Sequence, residues 1–151
     1  MNVFIVGSPL ETAMCLDPRR LNKQIIECKQ ILKAIDGETK AWLNHPSVKQ
    51  YTKDIYCAWL RTYLFCLEYY KTGKYDVAKV LSDYADVIRP DWHTTRYLTQ
   101  MKRRLYTKNN NYYSQWKHLG ESDINMYYVE NEWRYYRNGK QIKNEDVPIS
   151  I

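Results

Sequence analysis

One stretch constrains the fold more than any other: Asp17-Pro18-Arg19-Arg20-Leu21-Asn22-Lys23-Gln24-Ile25-Ile26-Glu27-Cys28-Lys29-Gln30-Ile31-Leu32. It has the start of a helix. Asp17 can cap the orphan N–H groups of a first turn, and Pro18 fits the first helical position, where its missing N–H costs nothing. Leu21, Ile25, Cys28, Leu32 and Ile35 then recur at 4-3-4-3 spacing, one apolar stripe at helical period. Arg20, Lys23 and Glu27 project from one polar flank of the same helix. Two readings of that flank stand side by side. One is a solvated face with an ordinary i,i+4 Lys–Glu pair. The other is a catalytic carboxylate flanked by cations and aimed at an anionic substrate.

A chain of 151 residues has enough material for one domain with one core. No apolar run is long enough to cross a membrane, and the start Met-Asn-Val-Phe-Ile-Val-Gly lacks the charged n-region of a signal peptide. The expected location is therefore cytoplasmic, in a bacterial cell or a phage-infected host. The formal net charge is +6, which favours an anionic partner. Tyr and Trp number 15 and 5 against 2 Phe. Aromatics with a polar tip suit stacking on bases beside Lys and Arg, and they can equally fill a helical core. Cys15, Cys28, Cys57 and Cys66 form no Cys-x-x-Cys pair and have no His at ligand spacing. They read as reduced, structural thiols, with no metal site and no cofactor expected.

The rest of the chain reads as helices followed by a hairpin. Val3-Phe4-Ile5-Val6 is a strand or an arm threaded into the core, and Pro9 to Leu16 has room for one or two helical turns. Asn44-His45-Pro46-Ser47 opens a long helix from about Ser47 to Lys71, stopped by Thr72-Gly73, with Val48, Ile55, Trp59, Cys66 and Tyr70 on one face. His45 then stands at a helix N-terminus, whose positive end disfavours its protonation. A shorter helix is predicted from Asp76 to Val87, and a fourth from about Trp92 to Tyr106 with Tyr97, Leu98, Met101 and Leu105 inward. The expected core includes Leu21, Ile25, Leu32, Ile55, Trp59 and Leu98. Lys108 through His118 is polar, aromatic and basic at once, a surface suited to stacking and phosphate contact. Trp133 to Lys143 around Asn138-Gly139 predicts a hairpin with a type I′ turn, and Met126 to Val129 can add a strand. The whole is expected to be mainly α: a compact single-domain helical bundle over residues 1–143 with a small hairpin at about 126–143. Residues 144–151 are expected to be a loose tail.

Three stretches, taken in order, resemble the phage endonuclease V type of pyrimidine dimer DNA glycosylase. Leu16-Asp17 and Leu21 through Glu27 look like that family's first long helix, in which a leucine precedes the catalytic glutamate by six residues. Asn44-His45-Pro46-Ser47 looks like its His-containing segment before a long helix. Met101-Lys102-Arg103-Arg104-Leu105 through Tyr112-Tyr113-Ser114-Gln115-Trp116 looks like its basic helix and Tyr-rich loop.

The resemblance implies a helical domain that binds DNA. It implies attack by the N-terminal α-amine on the sugar C1′ of a damaged pyrimidine, an imine intermediate and metal-free strand cleavage by β-elimination, with Glu27 in support. An α-amino group, with a reference pKa of about 8, suits that step better than Lys. The catalytic candidates are Met1, Asn2 and Glu27; Asn2 is too bulky for ready removal of Met1. The DNA-binding candidates are Arg20, Lys23, His45, Arg96, Arg103, Lys108, Tyr112, Tyr113, Trp116 and Lys117. Ile26 and Gln30 stand where the family keeps arginines beside its glutamate, and Arg20 and Lys23 offer cations one turn earlier. Two other readings remain open on the same residues: a different enzyme acting on DNA bases or nucleotides, and a non-catalytic nucleic-acid-binding or host-interaction protein.

Overall fold

The computed structural model describes residues 3–73, 76, 78–79 and 87–149. It is mainly helical, with one small antiparallel sheet. The chain divides into two compact units, Met1–Pro90 and Asp91–Ile151.

In the first unit an extended arm, Val3 to Val6, is buried along its whole length. It joins no sheet among the described residues, so its backbone must find side-chain partners. Phe4 N–H donates to Gln24 Oε1 at 2.7 Å, Val6 N–H donates to Thr12 Oγ1 at 3.1 Å, and the Phe4 carbonyl accepts from the Tyr63 hydroxyl at 2.9 Å. Three helical segments thereby hold the arm. They are α1 (Pro9–Cys15), α2 (Pro18–Ile35) and α4 (Asp54–Thr72), with α4 packed against the other two. Between α2 and α4 lies a short α3 (Pro46–Gln50).

Helix α2 starts at Pro18 as expected, but Asp17 makes no cap hydrogen bond; its carboxylate pairs with Arg20 at 3.0 Å. The buried face is rotated from the predicted stripe. Gln24, Ile25, Glu27, Cys28, Ile31, Leu32 and Ala34 are inside, while Leu21 and Ile35 are half-exposed. Burial pushes the Cys28 thiol up, reinforced by the Glu27 charge, and burial holds the Cys66 thiol up at about 11. All four cysteines are free thiols.

The single long helix expected from Ser47 to Lys71 is two helices. Tyr51 leaves helical geometry at the end of α3, where the Thr52 hydroxyl donates to the Val48 carbonyl. A hydroxyl that bonds back in this way competes with continuing the ladder. The break changes the helical phase, so Ile55 is 47% exposed instead of lying in the core. The inward face of α4 is Trp59, Leu60, Tyr63, Cys66 and Leu67, and Tyr70 points outward. Gly73, at φ +64°, terminates α4 in the left-handed conformation that glycine adopts without a Cβ penalty. The helix expected at Asp76 to Val87 falls largely outside the described residues.

In the second unit α5 (Thr95–Lys108) buries Tyr97, Thr99, Gln100, Met101 and Leu105, and Leu98 is half-exposed. Thr94 caps it by accepting from Tyr97 N–H. A 3-10 segment follows at Ser114–Leu119. The hairpin is one half of a three-stranded meander: β1 (Asn125–Val129), β2 (Glu132–Arg137) and β3 (Lys140–Ile142). Asn138-Gly139 turns β2 into β3 with both φ values positive, as a type I′ turn requires, and Glu130-Asn131 does the same between β1 and β2. The segment after Asn144 is not loose up to Pro148. Arg96 Nε donates to the Asn144 carbonyl, Gln100 Nε2 donates to the Pro148 carbonyl, and Val147 is buried.

Candidate active site

Glu27 lies on the inner side of α2 and is 8% exposed. A carboxylate so placed needs donors, since burying a charge without them costs several kcal/mol, on the order of the desolvation penalty of one ion. Gln24, one turn earlier and fully buried, gives its Nε2–H to Glu27 Oε2 at 3.3 Å. Its Oε1 faces the other way and accepts the Phe4 N–H, with the Tyr63 hydroxyl 3.3 Å from the same oxygen. One glutamine thus links the backbone of residue 4 to the Glu27 carboxylate. Lys23 Nζ stands 4.0 Å from Glu27 Oε1 on an exposed side chain, a loose pair. The Arg20 guanidinium is turned to Asp17.

His45 caps α3. Its Nδ1 accepts the Ser47 N–H at 3.1 Å, which a protonated Nδ1 cannot do, so the neutral ring carries its proton on Nε2. Burial lowers the His45 pKa from its usual 6.5, and the Glu27 charge pulls the other way. Before His45, Trp42 takes φ +66° and sets its ring edge-on to the imidazole at 5.8 Å. A left-handed backbone at a bulky residue costs on the order of 1–3 kcal/mol.

The site therefore has a buried carboxylate, a glutamine that tethers it to the start of the chain, and a neutral imidazole on which its charge acts. Residues 1–72 match the family model for pyrimidine dimer DNA glycosylase. The match takes in Gln24, Glu27, His45 and Tyr63, and the resemblance to the endonuclease V type of glycosylase is thereby shown on the unit that carries them. That family is one of enzymes acting on DNA. No curated protein and no solved structure matches the chain. The glycosylase match ends at residue 72, so the likeness drawn from Met101 through Trp116 rests on sequence alone.

Met1 and Asn2 lie outside the described residues. In the first unit the structure brings Lys23, Glu27 and His45 into one neighbourhood and gives Arg20 a partner elsewhere. In the second unit Arg96 and Arg103 are engaged locally, Arg96 by the Asn144 carbonyl and Arg103 by the Glu121 carbonyl and Gln100. Tyr113 is fully buried and stacks on Trp116 at 5.5 Å, so it cannot receive a base; burial in the unit's core has taken that role from it. Tyr112, 49% exposed, and the exposed Lys108 and Lys117 remain as surface from that segment. The glycosylase-like helix flank missed Gln24. Its signal in the sequence was a polar residue one turn before Glu27 and next to Ile25, on the apolar side of the helix. Among the described residues no cluster of His, Cys, Asp and Glu converges as a metal site, and no helix is long and apolar enough to cross a membrane.

Proposed function

We propose that the protein is a pyrimidine dimer DNA glycosylase with lyase activity, working through its N-terminal α-amine and Glu27. The observation that carries this reading is the Phe4–Gln24–Glu27 chain of hydrogen bonds. It fixes residue 4 one side chain away from a buried carboxylate. Three residues of extended chain reach at most about 10 Å, so the amine of residue 1 has the Glu27 carboxylate within its range.

The unprotonated amine attacks C1′ of the damaged nucleotide and the N-glycosidic bond breaks, its electron pair leaving with the base. Opening of the sugar ring gives the imine. Loss of a C2′ proton then expels the 3′ phosphate. Glu27, a buried acceptor, takes up protons released in imine formation and at C2′. His45 is held neutral by its cap, so it adds no positive charge to compete with the amine for the carboxylate. The exposed Lys23 is placed to meet a phosphate.

Borohydride trapping on duplex DNA containing a cyclobutane dimer tests the reading. A covalent adduct mapped to the N-terminal peptide is expected. Glu27→Gln should leave fold and DNA binding intact and lower turnover by about 100-fold or more. Glycosidic-bond cleavage at the dimer that survives acetylation of the amine, yet is lost in Glu27→Gln, would instead establish an enzyme that uses the carboxylate without the imine.

A further inference from the structure

Trp42 and Leu43 are 49% and 46% exposed, and they are the one consecutive pair among the exposed large apolar residues described. The turn that presents them is built rather than loose. Thr39 Oγ1 accepts the Ala41 N–H, the Trp42 carbonyl accepts the His45 N–H, and Trp42 holds a positive φ. The Trp42 ring stands edge-on to His45, on which the Glu27 charge acts. Lys40 and Lys49, both exposed, flank the segment. A built apolar tip, strained in its backbone, packed edge-on against the imidazole that caps α3 and with lysines on either side in the sequence, has the character of a side chain that enters a base stack.

We propose that Trp42, backed by Leu43, is the wedge that unstacks a DNA base step and holds a nucleotide open at the Glu27 site. The inference rests on the glycosylase reading and adds to it the residue that performs the opening. The occupant is the duplex: the apolar tip meets base faces while Lys40 and Lys49 meet phosphates. A solvent-exposed tip with only a structural role would gain from losing its strain. A wedge would lose function with it.

The test is read in two ways. Duplex DNA carrying 2-aminopurine beside a cyclobutane dimer reports unstacking by a rise in fluorescence, measured in the Glu27→Gln background so that no chemistry intervenes. Trp42→Gly should melt at the same temperature or higher, because glycine accepts positive φ freely. It should nonetheless abolish most of the fluorescence rise. In the otherwise unsubstituted protein, Trp42→Gly should lower glycosidic-bond cleavage at a dimer in duplex by about tenfold or more while changing cleavage in single-stranded DNA by less than about twofold. Trp42→Phe should restore much of the duplex activity. An undiminished fluorescence rise in Trp42→Gly, equal losses on duplex and single strand, or a changed monomer–dimer balance would overturn the wedge. If the unsubstituted protein breaks no glycosidic bond at the dimer, the glycosylase reading fails, and the 2-aminopurine comparison alone decides whether Trp42 opens the duplex.

Discussion

Among the described residues, the two units differ in where most of their ion pairs and long-range buried hydrogen bonds lie. In Met1–Pro90 the decisive polar contacts are buried and cross long stretches of sequence: Phe4 to Gln24, Phe4 to Tyr63, Gln24 to Tyr63. In Asp91–Ile151 the clearest ion pairs are made by Arg134 and Arg137 on the sheet. Arg137 pairs with Asp123 at 2.9 Å and holds that carboxyl below the usual carboxylate range, and Arg134 bonds Glu130 and Glu132. A buried hydrogen bond leaves no substitute when one partner is removed, whereas an exposed ion pair has water in reserve. The proposed chemistry, which depends on fixed geometry, uses the first unit. In the second, Arg103, Arg134 and Arg137 are engaged by carboxylates of the same unit.

The largest expected effect follows from that contrast. Gln24→Leu should orphan the buried Phe4 N–H and remove a donor from Glu27, destabilising the protein by about 1–3 kcal/mol. Arg137→Ala, which breaks an exposed pair, should cost no more than about 1 kcal/mol. Urea unfolding of both variants compares them directly. If Arg137→Ala proves the more damaging, the contrast between the units is mistaken.

Salt dependence sharpens the comparison at smaller scale. Each phosphate neutralised contributes about 0.9 to the slope of log K against log salt. Lys23, 73% exposed in its side chain, is free to reach a phosphate, whereas the Arg103 side chain is 11% exposed and bonded to the Glu121 carbonyl. Lys23→Ala should therefore lower the slope by about one, and Arg103→Ala should leave it unchanged. Binding titrations on one duplex at several salt concentrations measure both. A slope lost with Arg103 and kept with Lys23 would move the DNA surface to the second unit.

The smallest effect concerns pH. Burial holds the folded His45 below 6.5, so the unfolded chain takes up its proton first as pH falls. The His45 contribution to stability is complete above about pH 6.5 and declines as pH drops through 6.5 toward the lower folded value. His45→Asn keeps a side chain that can cap α3 and removes the titration. Thermal melts between pH 7.5 and 5 should be flatter for this variant, to about the extent of one ionisable group. Parallel curves for the two proteins would show that the cap does not constrain the imidazole.

The local signals in the sequence decided a good deal by themselves. Pro18 and Pro46 began helices, Gly73 ended one, and Asn138-Gly139 made the predicted turn, because each acts through its own backbone geometry. The order of Glu27 and His45 along the chain carried the resemblance to glycosylases, and the family match on residues 1–72 agrees with it. Which faces turn inward was decided only in three dimensions. A three-residue break after α3 moved Ile55 out, and a rotation of α2 brought Gln24 and Glu27 in. Periodicity treats polar residues as the outer face, so it had no means of finding a buried glutamine whose partners lie 20 and 39 residues away. Those partners are reached by the arm and by α4, and only packing brings such distant groups within hydrogen-bonding range.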